Sequence, residues 1–118
     1  MRYLPEKHLY DMPCSIVAIA SAKRNIDIKT ETILPDTLKE NGYLDLNSMN
    51  KLIRANLSVK KKQYFKRTER ILLENFLEDN TEKCIVCVYG HYIYVNGEDY
   101  WSFFPNEKDK IVCLWYLK

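Results

Sequence analysis

The hydrophobic period changes near residue 83, and that change constrains the fold more than any other feature of the chain. Before it, apolar side chains recur at three- and four-residue spacing; after it come short runs rich in Val, Ile, Tyr and Trp, namely Cys84 to Tyr89, His91 to Val95, Tyr100 to Phe104 and Ile111 to Leu117. Gly90, Asn96-Gly97 and Pro105-Asn106 punctuate the runs, and Asn96-Gly97 is a hairpin signal because both residue types tolerate positive φ. Helices first and strands later, within 118 residues, predict a single α+β domain spanning 1–118. Its N-terminal helices are expected to pack on one face or end of a C-terminal antiparallel meander of four to five strands.

The helical part divides into segments. Pro13 to Lys23 is predicted to be a helix, with Pro13 as its first residue and Ile16, Ile19, Ala20 and Lys23 at helical spacing. Asn25 to Leu34 reads as an extended connector, and Pro35-Asp36 opens a short helix that Asn41-Gly42 closes. Asn47 or Ser48 is expected to cap a helix with Met49, Leu52 and Ile53 on one face, followed by a weakly patterned strand from Leu57 to Phe65. A last helix is expected from Thr68 to Leu77, burying Leu72, Leu73, Phe76 and Leu77.

Composition removes several function classes. No apolar run approaches the roughly 20 residues that cross a bilayer, and 47% hydrophobic residues are too many for a disordered segment. Lys and Arg number 18 against 16 Asp and Glu, so no global field draws the chain onto nucleic acid or an acidic membrane. Lys60-Lys61-Lys62, Lys66, Arg67 and Arg70 form a local basic stretch with Tyr64-Phe65 inside it, a composition that single-stranded nucleic-acid binders use. Lysines of this kind more often keep an edge strand from pairing with other chains, and Glu69, Glu74, Glu78 and Asp79 follow at once, which argues against nucleic acid. Residues 1–7 lack the apolar stretch of a secretion signal, so the four cysteines are expected to be reduced in a cytoplasmic protein.

Those cysteines differ in chemical promise. Cys14 stands at the predicted start of a helix, where backbone N–H groups and the helix dipole stabilise a thiolate and are expected to lower its pKa. Cys84 and Cys87 make a Cys-Ile-Val-Cys sequence, but three residues apart on a strand they face opposite ways and no second pair follows, which speaks against zinc or redox work. Cys113 reads as core. His91, one of two histidines, opens a strand after Gly90 and is the natural base for Cys14, if the fold brings them within hydrogen-bond reach.

The order of elements then carries a resemblance. It rests on a helix bearing Cys14, a helical region ending in Glu40-Asn41-Gly42-Tyr43, the helix around Leu46-Asn47-Ser48-Met49, the Leu72-Leu73-Glu74-Asn75-Phe76-Leu77 helix, the strand Cys84-Ile85-Val86-Cys87-Val88 and Gly90-His91-Tyr92-Ile93-Tyr94-Val95. Together these resemble papain-like cysteine peptidases of the double-glycine-leader, bacteriocin-processing type. The resemblance implies a minimal papain-like domain, Cys14 as nucleophile, His91 as general base, a peptide or protein substrate, and neither metal nor cofactor. The family's Asp-Cys-Gly sequence is here Asp11-Met12-Pro13-Cys14-Ser15, and its upstream Gln falls near His8, which becomes the candidate side-chain oxyanion donor beside the Cys14 N–H. The residue that orients the histidine aligns with Ser102, with Asn96, Asp99 and Asn106 as nearby substitutes. An inactive binding or inhibitor protein on the same fold, of the kind phages and mobile elements encode, is the alternative.

Overall fold

The computed structural model describes residues 1–25, 27–30 and 44–118. Among these, six strands form one mixed sheet: β1 (Arg2–Tyr3), β2 (Val59–Tyr64), β3 (Lys83–Val88), β4 (His91–Asn96), β5 (Asp99–Trp101) and β6 (Ile111–Leu117), in the order β1-β5-β4-β3-β6-β2. Three α-helices of the described residues accompany it: α1 (Cys14–Lys23), α2 (Leu46–Asn56) and α3 (Leu73–Asp79), with a 3-10 turn at Lys7–Leu9.

This is the expected α+β class, with six strands among the described residues where four to five were expected, and with further corrections of detail. The sheet is neither a simple meander nor wholly antiparallel. β6 crosses back to pair with β3 and β2, and β1 adds a parallel edge to β5. The helices cover both faces. α1 and α2 pack on one through Ile16, Ile19, Met49, Leu52 and Ile53 against Ile85, Tyr92 and Trp115, while α3 buries Leu73 and Leu77 on the other against Val86, Ile93 and Leu114. The continuous burial of Cys84 to Val88 is the mark of a strand covered on both sides.

Local starts and stops also shift. Pro13 lies just outside α1 as its N-cap, and Asp45, rather than Asn47 or Ser48, caps α2 by accepting the Ser48 N–H at 2.8 Å. α3 begins at Leu73 instead of Thr68, because the Leu73 and Glu74 N–H groups bond to Asp109 and Glu107 carbonyls and tie its first turn to the loop before β6. At the β4–β5 hairpin Asn96 pairs with Asp99 and only Gly97 takes positive φ, at 63°. The expected helix at Pro35 to Gly42, and half of the connector before it, lie outside the described residues.

β2 ends the sheet, where its lysines were expected. Lys60 pairs with Glu82, Lys62 stands 5.7 Å over the Trp115 ring, and Arg70 reaches the Tyr64 hydroxyl and the Phe65 carbonyl. These contacts hold three of the basic side chains against the protein's own surface.

Candidate functional site

The site forms where β5 stops short. β4 and β5 pair from Asn96–Asp99 to Tyr94–Trp101, so among the described residues His91 to Ile93 have no strand beside them on that side. In the tight β3–β4 hairpin Val88 and His91 close the turn, which directs the next N–H, that of Tyr92, outward from β3. The first turn of α1 fills the gap, and Cys14 Sγ accepts a hydrogen bond from the Tyr92 N–H. The thiol therefore sits against the backbone of the residue that follows His91. The N–H groups of Cys14 and Ser15 also point at the sulfur. They belong to the helix start, where the first bond of the helical ladder runs from the Val17 N–H to the Pro13 carbonyl at 2.9 Å.

The helix terminus does not have the expected effect on Cys14. Burial pushes the thiol pKa up and outweighs the three N–H donors that lower it. The other cysteines are fully buried within the sheet; burial takes Cys84 up to about 12 and Cys113 up to about 11. Cys84 and Cys87 belong to the cores on opposite faces.

His91 is half-buried. Its Nε2 lies 3.2 Å from Ser102 Oγ, and the Phe104 ring stands edge-on to it with centroids 6.3 Å apart. Burial lowers its pKa, and the Asp109 carboxylate pulls the other way. Ser102 is 2% exposed, donates to Asn106 Oδ1 at 2.6 Å and accepts the Phe104 N–H at 3.3 Å. Asn106 in turn donates from Nδ2 to Asp109 Oδ2 at 2.7 Å, and its own N–H bonds to the Tyr100 hydroxyl at 3.1 Å.

Of the sequence-predicted residues, His91 and Ser102 meet directly and Asn106 stands behind Ser102. Cys14 lies against the backbone of Tyr92, the next residue after His91, and packs with the core on the α1 face, whereas strand alternation turns the His91 and Ser102 side chains toward the α3 face. His8 is a correction. It is half-exposed, 3.3 Å from Glu6, and lines a cavity with Ala20, Ser21, Arg24 and Trp101 beside the other end of α1. Ala20 alone is six residues, about 9 Å, along the helix from Cys14. His8 is thus not placed as an oxyanion donor, because the segment before Asp11 turns toward β1 and the far half of α1. Two of the substitutes for Ser102 also fall away: Asn96 ends β4, and Asp99 binds the N-terminal ammonium at 3.3 Å. Sequence reasoning missed Asp109. It lies in the unpatterned loop after Pro105, and its only signal is the Asn-x-x-Asp spacing from Asn106.

Tyr89, 92% exposed in the turn before His91, and Phe104, 65% exposed beside it, leave apolar surface around the histidine. Among the described residues no group of three His, Cys, Asp or Glu could hold a metal ion, and no helix is long and apolar enough to cross a membrane. No protein family, curated protein or solved structure matches the chain.

Proposed function

We propose that this chain is a minimal papain-like thiol hydrolase, a cysteine peptidase with Cys14 as nucleophile and His91 as general base. The observation that carries the reading is the hydrogen bond from the Tyr92 N–H to Cys14 Sγ, which sets the thiol against the backbone next to a histidine whose Nε2 lies 3.2 Å from Ser102 Oγ. Burial raises the thiol pKa and lowers that of the imidazole, so both groups rest neutral. Proton transfer then accompanies attack. His91 Nδ1 takes the Sγ–H proton as the sulfur bonds to the substrate carbonyl carbon, and the carbonyl electrons move onto oxygen. The N–H groups of Cys14 and Ser15 are the nearest donors for that oxyanion. Imidazolium then gives the proton to the leaving amine, the C–N bond breaks, and water activated by the same ring hydrolyses the thioester.

The test uses p-nitrophenyl acetate. A burst of p-nitrophenolate matched by one acetyl group on Cys14, and lost in Cys14→Ala, is the expected result; equal release by both proteins would sink the reading. A protonated thiol, with no side-chain oxyanion donor placed among the described residues, favours the second reading, a non-catalytic protein that binds a peptide or protein partner. Full biological effect in Cys14→Ser would select it.

A further inference from the structure

The side chains behind His91 form a chain of hydrogen bonds with one permitted direction. An ionised carboxylate only accepts, so Asp109 Oδ2, 2.7 Å from Asn106, must face the amide nitrogen of that residue. This turns Asn106 Oδ1 toward Ser102, at 2.6 Å, and an amide oxygen only accepts. The single hydroxyl proton of Ser102 is therefore committed to Asn106. Ser102 Oγ has two lone pairs left: the Phe104 N–H uses one at 3.3 Å, and His91 Nε2, at 3.2 Å, faces the other. For that last contact to be a hydrogen bond, Nε2 must carry the ring proton, and Nδ1 must then hold a lone pair.

We propose that Asp109 is a positioning residue which, through Asn106 and Ser102, holds neutral His91 as its Nε2–H tautomer and so presents Nδ1 as the proton acceptor. This deepens the hydrolase reading and rests on it for the use made of Nδ1, whereas the tautomer itself stands on the hydrogen bonds alone. The relay is built to keep its direction. Ser102 and Asn106 are both buried, and Tyr100, fully buried, fixes the Asn106 backbone. Asp109 is exposed, so its carboxylate keeps its solvation while it polarises a buried amide. A carboxylate placed directly on the imidazole would serve the same purpose; here two neutral groups carry its influence inward. Asp109 is also the charged group that acts on the His91 ring electrostatically.

The substitution Asp109→Asn removes the constraint without changing shape. The introduced amide could donate to Asn106 Oδ1, Asn106 Nδ2 to Ser102 Oγ, and Ser102 Oγ–H to His91 Nε2, which reverses every bond and moves the ring proton to Nδ1. The experiment is a long-range proton–nitrogen correlation NMR spectrum at pH 8 on ¹⁵N-labelled protein carrying His8→Asn, so that only one imidazole is seen. The relay predicts a nearly pure Nε2–H tautomer in the parent. In Asp109→Asn and in Asp109→Ala the Nε2–H to Nδ1–H ratio should fall at least about fivefold, with backbone spectra unchanged away from residues 102–109. An unchanged ratio in both variants, or a predominantly Nδ1–H parent, would overturn the proposal. The two readings fail separately. A tautomer shift in a protein with no Cys14-dependent acetylation upholds the relay and removes the hydrolase, whereas Cys14-dependent acetylation with an unmoved tautomer does the reverse.

Discussion

Replacing Ser102 by Ala should destabilise the protein out of proportion to the single atom removed. Ser102 Oγ bonds to His91 Nε2, Asn106 Oδ1 and the Phe104 N–H. Once it is gone, His91 and Phe104 can recover part of their bonding from solvent, but Asn106 is 6% exposed and its Oδ1 is left facing a methyl group. An unmet buried acceptor costs about 1–3 kcal/mol. With an unfolding entropy near 2.1 cal/mol/K per residue, 118 residues give about 0.25 kcal/mol/K, so Tm should fall by about 4–12 °C. Thermal melts followed by far-UV circular dichroism at pH 8 under reducing conditions measure this. Ser48→Ala is the control, since the Ser48 hydroxyl makes a solvent-exposed bond to Asp45 and its loss should move Tm by no more than about 2 °C. If Ser102→Ala shifts Tm no further than Ser48→Ala, Ser102 is not the buried junction described above.

Three further outcomes follow from the same structure. Stability should be greatest between about pH 7 and 8.5. The native pKa of His91 lies below its unfolded value, so the unfolded chain binds the proton first, and stability is lost as pH falls from about 6.5 toward the native value. The thiols of Cys14, Cys84 and Cys113 are shifted upward, so the unfolded chain ionises first and stability falls again as pH rises past about 8.5; urea midpoints across pH 5–10 should trace both limbs, and a flat profile would contradict the burial argument. Iodoacetamide should modify half-buried Cys14 before the three fully buried thiols, as peptide mapping would show; simultaneous labelling of all four would mean that the sheet opens as readily as the site. Gly90→Ala should cost about 1–2 kcal/mol in urea unfolding, because Gly90 holds φ at 74° in open space, where a side chain meets no clash but the backbone is strained.

Much of the site could be read from the hairpins. A two-residue loop after Asn96 pairs Asn96 with Asp99, and continuing that register sets His91 opposite Phe104, with Ser102 two residues away on the same face. The ladder itself ends at Tyr94–Trp101, yet the ring contact and the Ser102 hydrogen bond join the residues that this arithmetic brings together. The Cys14 helix was legible from its spacing, but the raised thiol pKa was not, because it depends on how deeply the sheet buries the helix start. Asn106 and Asp109 lie in a loop without periodicity, and their relation to His91 exists only through side-chain hydrogen bonds. In the fold, two-residue β1 is too short for any hydrophobic period. The return of β6 beside β3 had a signal in the unbroken apolar runs of both strands, since central strands covered on two faces lose their alternation.

The most direct test of the Cys14–His91 pair is the rate at which iodoacetamide alkylates Cys14 at pH 7.5 in the parent and in His91→Asn. If His91 accepts the thiol proton, the parent should react at least about tenfold faster. Equal rates, with both proteins folded, would show that the imidazole does not act on the sulfur and would contradict the account at its centre.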